Sequence, residues 1–175
     1  MKNPRYQGGG SSHVNSFKVT SVWDALTEKE NVIYAEGFSS ETDVYDEKLA
    51  AEAIEAAKQV DKAVVFAGLP ESFESEGYDR KHMHLPECQN KLIAEIVKAQ
   101  LNTIVVLHNG AAVEMPWLKD VKGLVEAYLG GQAVGQAEAN ILYGNVNPSG
   151  KLAETLPIKL EDNPLYLNFG DGDKV

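Results

Sequence analysis

Lys62-Ala63-Val64-Val65-Phe66-Ala67-Gly68 is an almost unbroken apolar run closed by a glycine. It follows residues 47–60, in which Leu49, Ala50, Ala53, Ile54, Ala57 and Val60 recur at helical spacing. Five apolar residues and a glycine are too few for a buried helix. They suit a strand covered on both faces, as strands of parallel sheets are. The stretch therefore predicts an amphipathic helix feeding a buried strand, the repeating unit of an α/β fold.

The unit recurs downstream. Pro86 stands where a first-turn proline would, Leu92, Ile93, Ile96 and Val97 make an inward stripe, and residues 103–107 form the next apolar strand. A third round runs from a turn at Pro116-Trp117-Leu118 through a strand over 123–128 to a helix over 132–143, with Val134, Ala137, Ile141 and Leu142 inward. Upstream, residues 19–28 predict a short helix capped by Thr20 or Ser21, and Val32-Ile33-Tyr34-Ala35 a strand. Residues 1–16 carry no period, and the tail from Pro157 onward reads as a departing linker. The fold class is α/β: a mostly parallel sheet with helices on both faces, a flavodoxin-like α/β/α sandwich with right-handed crossovers.

The 175 residues suffice for one ordinary domain. Against 26 Asp plus Glu stand 16 Lys plus Arg, a net charge of -10, which argues against nucleic acid and membrane surfaces as partners. Residues 1–5 lack the apolar core of a signal peptide, and no stretch approaches the ~18 apolar residues of a membrane span, so the expected compartment is the cytoplasm. The lone Cys88 reads as a reduced structural thiol, since a nucleophilic role needs a nearby base.

In open α/β sheets ligands gather at the carboxyl ends of the strands. Three loops fall there: 69–85, 108–115 and 129–135. The first is the longest, as functional loops often are. It holds Glu71, Glu74, Glu76 and Asp79 beside Arg80. A general acid near neutral pH needs a glutamate raised by about two units from ~4.3. Like-charged neighbours and burial act in that direction, and Arg80 against it; the same composition also fits a solvated acidic loop. His82 and His84, two apart, are too few for a zinc site, and His13 and His108 are distant. Gly130, Gly131 and Gly135 lack the order of a dinucleotide loop. Ser11-Ser12-His13 fits loop chemistry better than a catalytic dyad, and Trp117 fits core packing better than sugar stacking.

Several of these runs resemble one family. Glu74-Ser75-Glu76-Gly77-Tyr78-Asp79-Arg80, followed by Leu85-Pro86 and Gln89-Asn90, is similar to the C-terminal α/β-sandwich domain of glycoside hydrolase family 3, the β-glucosidases and their relatives. So are Val113-Glu114-Met115-Pro116-Trp117, Gly130-Gly131-Gln132 with Gly135, and the run from Tyr143 to Leu152. Asn3-Pro4-Arg5-Tyr6-Gln7-Gly8-Gly9-Gly10-Ser11-Ser12 resembles a segment near the start of that domain.

The resemblance implies a retaining glycosidase that needs neither cofactor nor metal. An aspartate nucleophile comes from a separate (β/α)8 barrel, in cis or in trans, and the sandwich supplies the general acid/base for a β-glucoside or oligosaccharide. That role falls on Glu76, with Glu74 as the fallback. Asp79 and Arg80 then orient substrate or support the acid, and Gly9, Gly10 and Ser11 line the same cleft. The resemblance also implies departures: no barrel and no nucleophile in this sequence, a sandwich over 1–160 short of its family's first strand, and a linker over 161–175 toward a further domain. A sheet short of one strand leaves an open edge, which invites a homodimer or strand exchange.

Overall fold

The computed structural model describes residues 2–27, 31–40, 42–77 and 79–167. Among them three strands, β1 (Ala63–Gly68), β2 (Thr103–His108) and β3 (Gly123–Glu126), form a parallel sheet in the order β1-β2-β3. Ala63 pairs with Thr103 and Ile104 with Gly123. Four helices surround it: α1 (Val22–Thr27), α2 (Glu47–Lys58), α3 (Glu87–Ala99) and α4 (Val134–Leu142).

Strand alternation sorts the side chains into two cores. Val65, Ala67, Val105 and Leu107 face α2 and α3, where they meet Ile93, Val97 and Trp117. Phe66 faces the other way, onto Val22 and Leu26 of α1 and Ala139 and Leu142 of α4. The molecule is thus an α/β/α sandwich. Trp117 belongs to the first core, its ring N–H donating to Asn90 Oδ1 at 3.0 Å.

Helices α1 and α2 begin where side chains satisfy their first N–H groups. Asp46 accepts from Lys48 and Leu49. Ser21 and Asp24 form a reciprocal box: the Asp24 N–H donates to Ser21 Oγ (3.1 Å), whose hydroxyl donates to the Asp24 carboxylate (2.7 Å). Pro86 lies one residue before α3 rather than in its first turn. At the start of α4, Gly135 abuts the chain at Ser21, where an added Cβ would lie 2.3 Å from the Ser21 carbonyl carbon. Alanine is the better helix former by up to ~1 kcal/mol, yet a clash with backbone cannot relax by turning a rotamer. Gly135→Ala should therefore lower the urea midpoint; a higher midpoint would show that α1 and α4 are not packed this closely.

Two expected strands differ. Residues 32–35 form no strand and have no ladder partners among the described residues. A cavity of about 770 Å³ separates residues 31–38 from β1, so neither backbone reaches the other. The third strand stops at Glu126, not at residue 128. Ala127 still donates to Leu107 O (2.9 Å), but Tyr128 turns to φ +48° and its N–H bonds the Glu126 carboxylate at 3.1 Å, a local bond that replaces the ladder. At the carboxyl end, residues 160–162 make one 3₁₀ turn, with the Leu160 N–H on Glu114 at 2.9 Å; residues 168–175 of the expected linker lie outside the described residues.

Candidate active site

The loop after β1 is built from its first residues upward. Phe73 and Glu74 donate their N–H groups to Pro70 O (2.9 and 3.2 Å), closing one turn, and Phe73 packs against the core. Glu74 is thereby fixed. Both its oxygens accept the Gly110 N–H, at 3.0 and 2.9 Å, and Arg5 Nη2 stands 3.3 Å from Oε2 while donating to the Glu74 carbonyl at 3.2 Å. These contacts join the loops after β1 and β2 to the amino-terminal segment. Glu74 and Arg5 are only 17% and 15% exposed.

Glu76 lies two residues on, and its surroundings differ. It is exposed, and its Oε2 accepts from the Ser11 hydroxyl (2.5 Å) and the Ser11 N–H (3.3 Å). No described residue bonds Oε1. The glycine-rich segment wraps closely enough because Gly10 adopts φ +77°, where a side chain would be strained and its Cβ would lie 3.2 Å from the Glu76 side chain. A Gly9 Cβ would meet Ser75 Oγ at 3.3 Å. Gly10 and Ser11 therefore lie against Glu76, and Gly9 against Ser75 and Glu71.

The electrostatics depart from the sequence expectation that acidic neighbours raise this carboxyl. The Ser11 hydroxyl, and then its N–H, hold Glu76 below the usual carboxylate range. Exposure leaves the carboxylate hydrated, so the nearby acids are screened. Carboxyls are raised elsewhere, at Glu138 and at Glu126, which burial pushes up against the opposing bonds from Tyr128 and Asn109.

Arg80 is half-buried and donates to the Ala112 carbonyl at 3.0 Å, with Nη2 buried and no hydrogen-bond partner among the described residues. Burial lowers the pKa of its guanidinium, opposed by the charge of Glu74. Asp79 is exposed beside it. The rings of His82 and His84 are tilted by 34° with centroids 5.1 Å apart, and His84 Nδ1 lies 3.0 Å from Glu114. No group of three or more metal-ligating side chains occurs among the described residues. Cys88 is buried, and desolvation with the neighbouring Asp43 pushes its thiol up to about 11, which keeps it protonated at neutral pH.

Beneath the loops lies a pair that sequence reasoning missed. His108 Nε2 stands 3.1 Å from Glu138 Oε1, both side chains under a tenth exposed, and His108 Nδ1 contacts the Arg5 carbonyl at 3.2 Å. Burial pushes Glu138 up to about 7 and His108 down to about 4. As pH rises from about 4.5 toward 7 only the unfolded chain loses the Glu138 proton, so stability falls. As pH falls from 6.5 toward 4 only the unfolded chain protonates His108, so stability falls there too. In the overlap the two slopes cancel. Glu138→Gln leaves His108 alone, and its stability should climb relative to wild type by about 1.4 kcal/mol per pH unit between these limits. Urea midpoints at both ends of the window check this; equal slopes would contradict it.

The described residues thus form an α/β sandwich with a carboxylate loop at the carboxyl ends of its strands, against which a glycine-rich segment packs. The glycosyl hydrolase family 3 C-terminal domain matches residues 1–175, and the chain belongs to that family. Thermostable β-glucosidase B of Acetivibrio thermocellus is 53% identical over 180 residues, covering 100% of this chain and 24% of that protein. An exo-α-(1→6)-L-arabinopyranosidase of Bifidobacterium longum is 43% identical over 170 residues, or 96% of this chain and 22% of that one. Among solved structures, a β-glucosidase of Bifidobacterium adolescentis superposes with a TM-score of 0.90 at 43% identity, over 95% of this chain and 25% of its own. A β-glucosidase of Kluyveromyces marxianus in complex with glucose gives a TM-score of 0.69 at 46% identity, over 72% of this chain and 15% of its own. The chain spans about a quarter of the length of the curated relatives it matches.

Proposed function

We propose that this domain supplies the general acid/base of a retaining β-glucosidase, acting with a (β/α)8 barrel that carries an aspartate nucleophile. Glu76 is the acid/base. The observation that carries the reading is the contrast between two glutamates: Glu74 has both oxygens engaged by Gly110 and Arg5, whereas Glu76 is exposed with Oε1 unbonded.

Retaining chemistry needs two carboxyls ~5–5.5 Å apart. In the first step the nucleophile attacks the anomeric carbon while the Glu76 acid gives its proton to the departing glycosidic oxygen. In the second, the Glu76 carboxylate takes a proton from water, and the water oxygen displaces the nucleophile from the same carbon. Ser11 favours the ionised form that the second step uses. The first step needs the proton, and the charge of a facing carboxylate together with desolvation by bound sugar raises Glu76 when the site is assembled. Arg80 and Asp79 border the loop and orient substrate.

The test is a chimera in which this chain replaces the matching quarter of the Acetivibrio thermocellus enzyme. Hydrolysis of an aryl β-glucoside supports the reading. A folded chimera without hydrolysis overturns it, and saturable binding of glucose by the isolated chain would then favour a non-catalytic sugar-binding module.

A further inference from the structure

The amino-terminal segment is tied to all three loops at the carboxyl end of the sheet. Arg5 pairs with Glu74 in the loop after β1, and the Arg5 carbonyl meets His108 Nδ1 (3.2 Å) at the end of β2. The Tyr6 carbonyl accepts the Gly131 N–H (2.8 Å) in the loop before α4. The chain then runs on through its glycines to Ser11 at Glu76. Two of these ties have fixed chemistry, since a guanidinium and a peptide N–H keep their protons at any ordinary pH. The third does not. An imidazole nitrogen donates to a carbonyl only while it carries the ring proton, and what faces the other nitrogen decides which of the two carries it.

Nε2 faces Glu138 Oε1, 3.1 Å away, and Glu138 is buried. Neither oxygen of Glu138 accepts a hydrogen bond among the described residues, so an ionised carboxylate there would be dry and without a donor. With the ring proton on Nδ1, Nε2 presents a bare lone pair. A lone pair and a carboxyl oxygen this close need a proton between them, and the carboxylic acid supplies it. The surroundings favour such a neutral pair over an imidazolium beside a carboxylate. Phe66 of β1 lies 6.4 Å from the His108 ring between centroids, and α1 meets α4 through Val22 and Leu26. The charges that act on His108 are those of the chain's amino terminus and of Arg5, and both disfavour an imidazolium. On Glu138 burial outweighs the amino terminus, whose charge favours the carboxylate.

We propose that Glu138 and His108 form a proton-operated latch on the amino-terminal segment. In the closed state the Glu138 acid donates to His108 Nε2, and Nδ1–H holds the Arg5 carbonyl. When Glu138 gives its proton to solvent, the carboxylate draws the ring proton to the near side: the Nδ1–H bond breaks and an Nε2–H bond forms. The net change is one proton released. Nδ1 then turns a lone pair on the Arg5 carbonyl, the two acceptors repel, and residues 5 and 6 let go of His108 and Gly131. The segment that carries Ser11 to Glu76 is thus held firmly only while Glu138 is protonated.

The test is nitrogen-15 NMR of the His108 ring in the whole chain, acetylated at its amino terminus so that this charge takes no part in the titration. The carboxyl carbon of Glu138 reports its own ionisation. At about pH 6, Nδ1 should be protonated and Nε2 bare. As Glu138 ionises, at or above about pH 7, the two should exchange roles, and the protection factor of the Gly131 amide should fall on the order of tenfold. Glu138→Gln offers Nε2 an amide N–H in place of the acid O–H. It should keep both the Nδ1–H tautomer and the Gly131 protection on either side of that pH. A ring protonated on both nitrogens at about pH 6 would overturn the proposal, as would a tautomer that stays the same while Glu138 ionises. So would a Glu138 carboxyl that keeps its proton until the chain unfolds, or a Glu138→Gln chain that loses Gly131 protection at the same pH as wild type.

Discussion

Glu76→Gln in the chimera lowers turnover of a β-glucoside with a poor leaving group by about 10²–10⁴-fold, the contribution of a positioned general acid. Glutamine keeps the length of glutamate and an oxygen that still accepts from the Ser11 hydroxyl and N–H, so the loop stays in place while the transferable proton is lost. Dependence on the leaving group separates this loss from a misplaced loop. A dinitrophenyl glucoside departs without protonation, so its first step should proceed and the glycosyl-enzyme should accumulate. Azide, which attacks without a base, should then restore turnover. Uniform loss on all substrates, with no response to azide, would mean that the substitution damages binding or structure instead. Stability should not change, because the side chain is exposed.

Glu74→Ala is expected to do the reverse in the isolated chain, lowering stability by about 2–4 kcal/mol. The substitution strips Gly110 of its acceptor and leaves the Arg5 guanidinium, 15% exposed, without its carboxylate. The Nε and Nη1 groups of Arg5 already lack hydrogen-bond partners among the described residues, so little remains to compensate. For a domain of this size the loss corresponds to a fall in Tm on the order of 10 °C. Urea and thermal unfolding read it directly. A drop under about 0.5 kcal/mol would show that the three segments are not held together through Glu74.

The layers of this fold are legible in local pattern. The apolar run at 63–68, the stripe at 92–97 and the run at 103–107 each specify an element and the faces it buries, because hydrophobic burial acts residue by residue along a period. Pairing is less legible. Residues 32–35 have the composition of a strand, yet a strand exists only where another backbone lies ~4.8 Å away, and here a cavity intervenes. The end of β3 was hidden for a similar reason, since the carboxylate of Glu126 competes for the backbone of Tyr128.

The site divides in the same way. The carboxylate loop and the glycine segment stand out by residue type, and resemblance to a family singled out Glu76. What distinguishes Glu74 from Glu76 is not local. It depends on Gly110, 36 residues away, and on Arg5, 69 residues away, neither of which carries a signal of its own beyond a basic residue beside a glycine-rich run. His108 and Glu138 read as a strand end and a helix position, and only the packing of α4 on the sheet joins them. The protonation of Glu76 is not legible locally, because sequence counts charges but not exposure or the hydroxyl of Ser11.

The division of labour between the two glutamates is tested most directly by measuring kcat for an alkyl β-glucoside in two chimeras that differ only in Glu76→Gln and Glu74→Gln. The geometry predicts a loss of about 10²–10⁴-fold with azide-responsive dinitrophenyl turnover for Glu76→Gln. It predicts for Glu74→Gln a lowered Tm and no azide response. Azide rescue of Glu74→Gln, with Glu76→Gln retaining full activity, would contradict it.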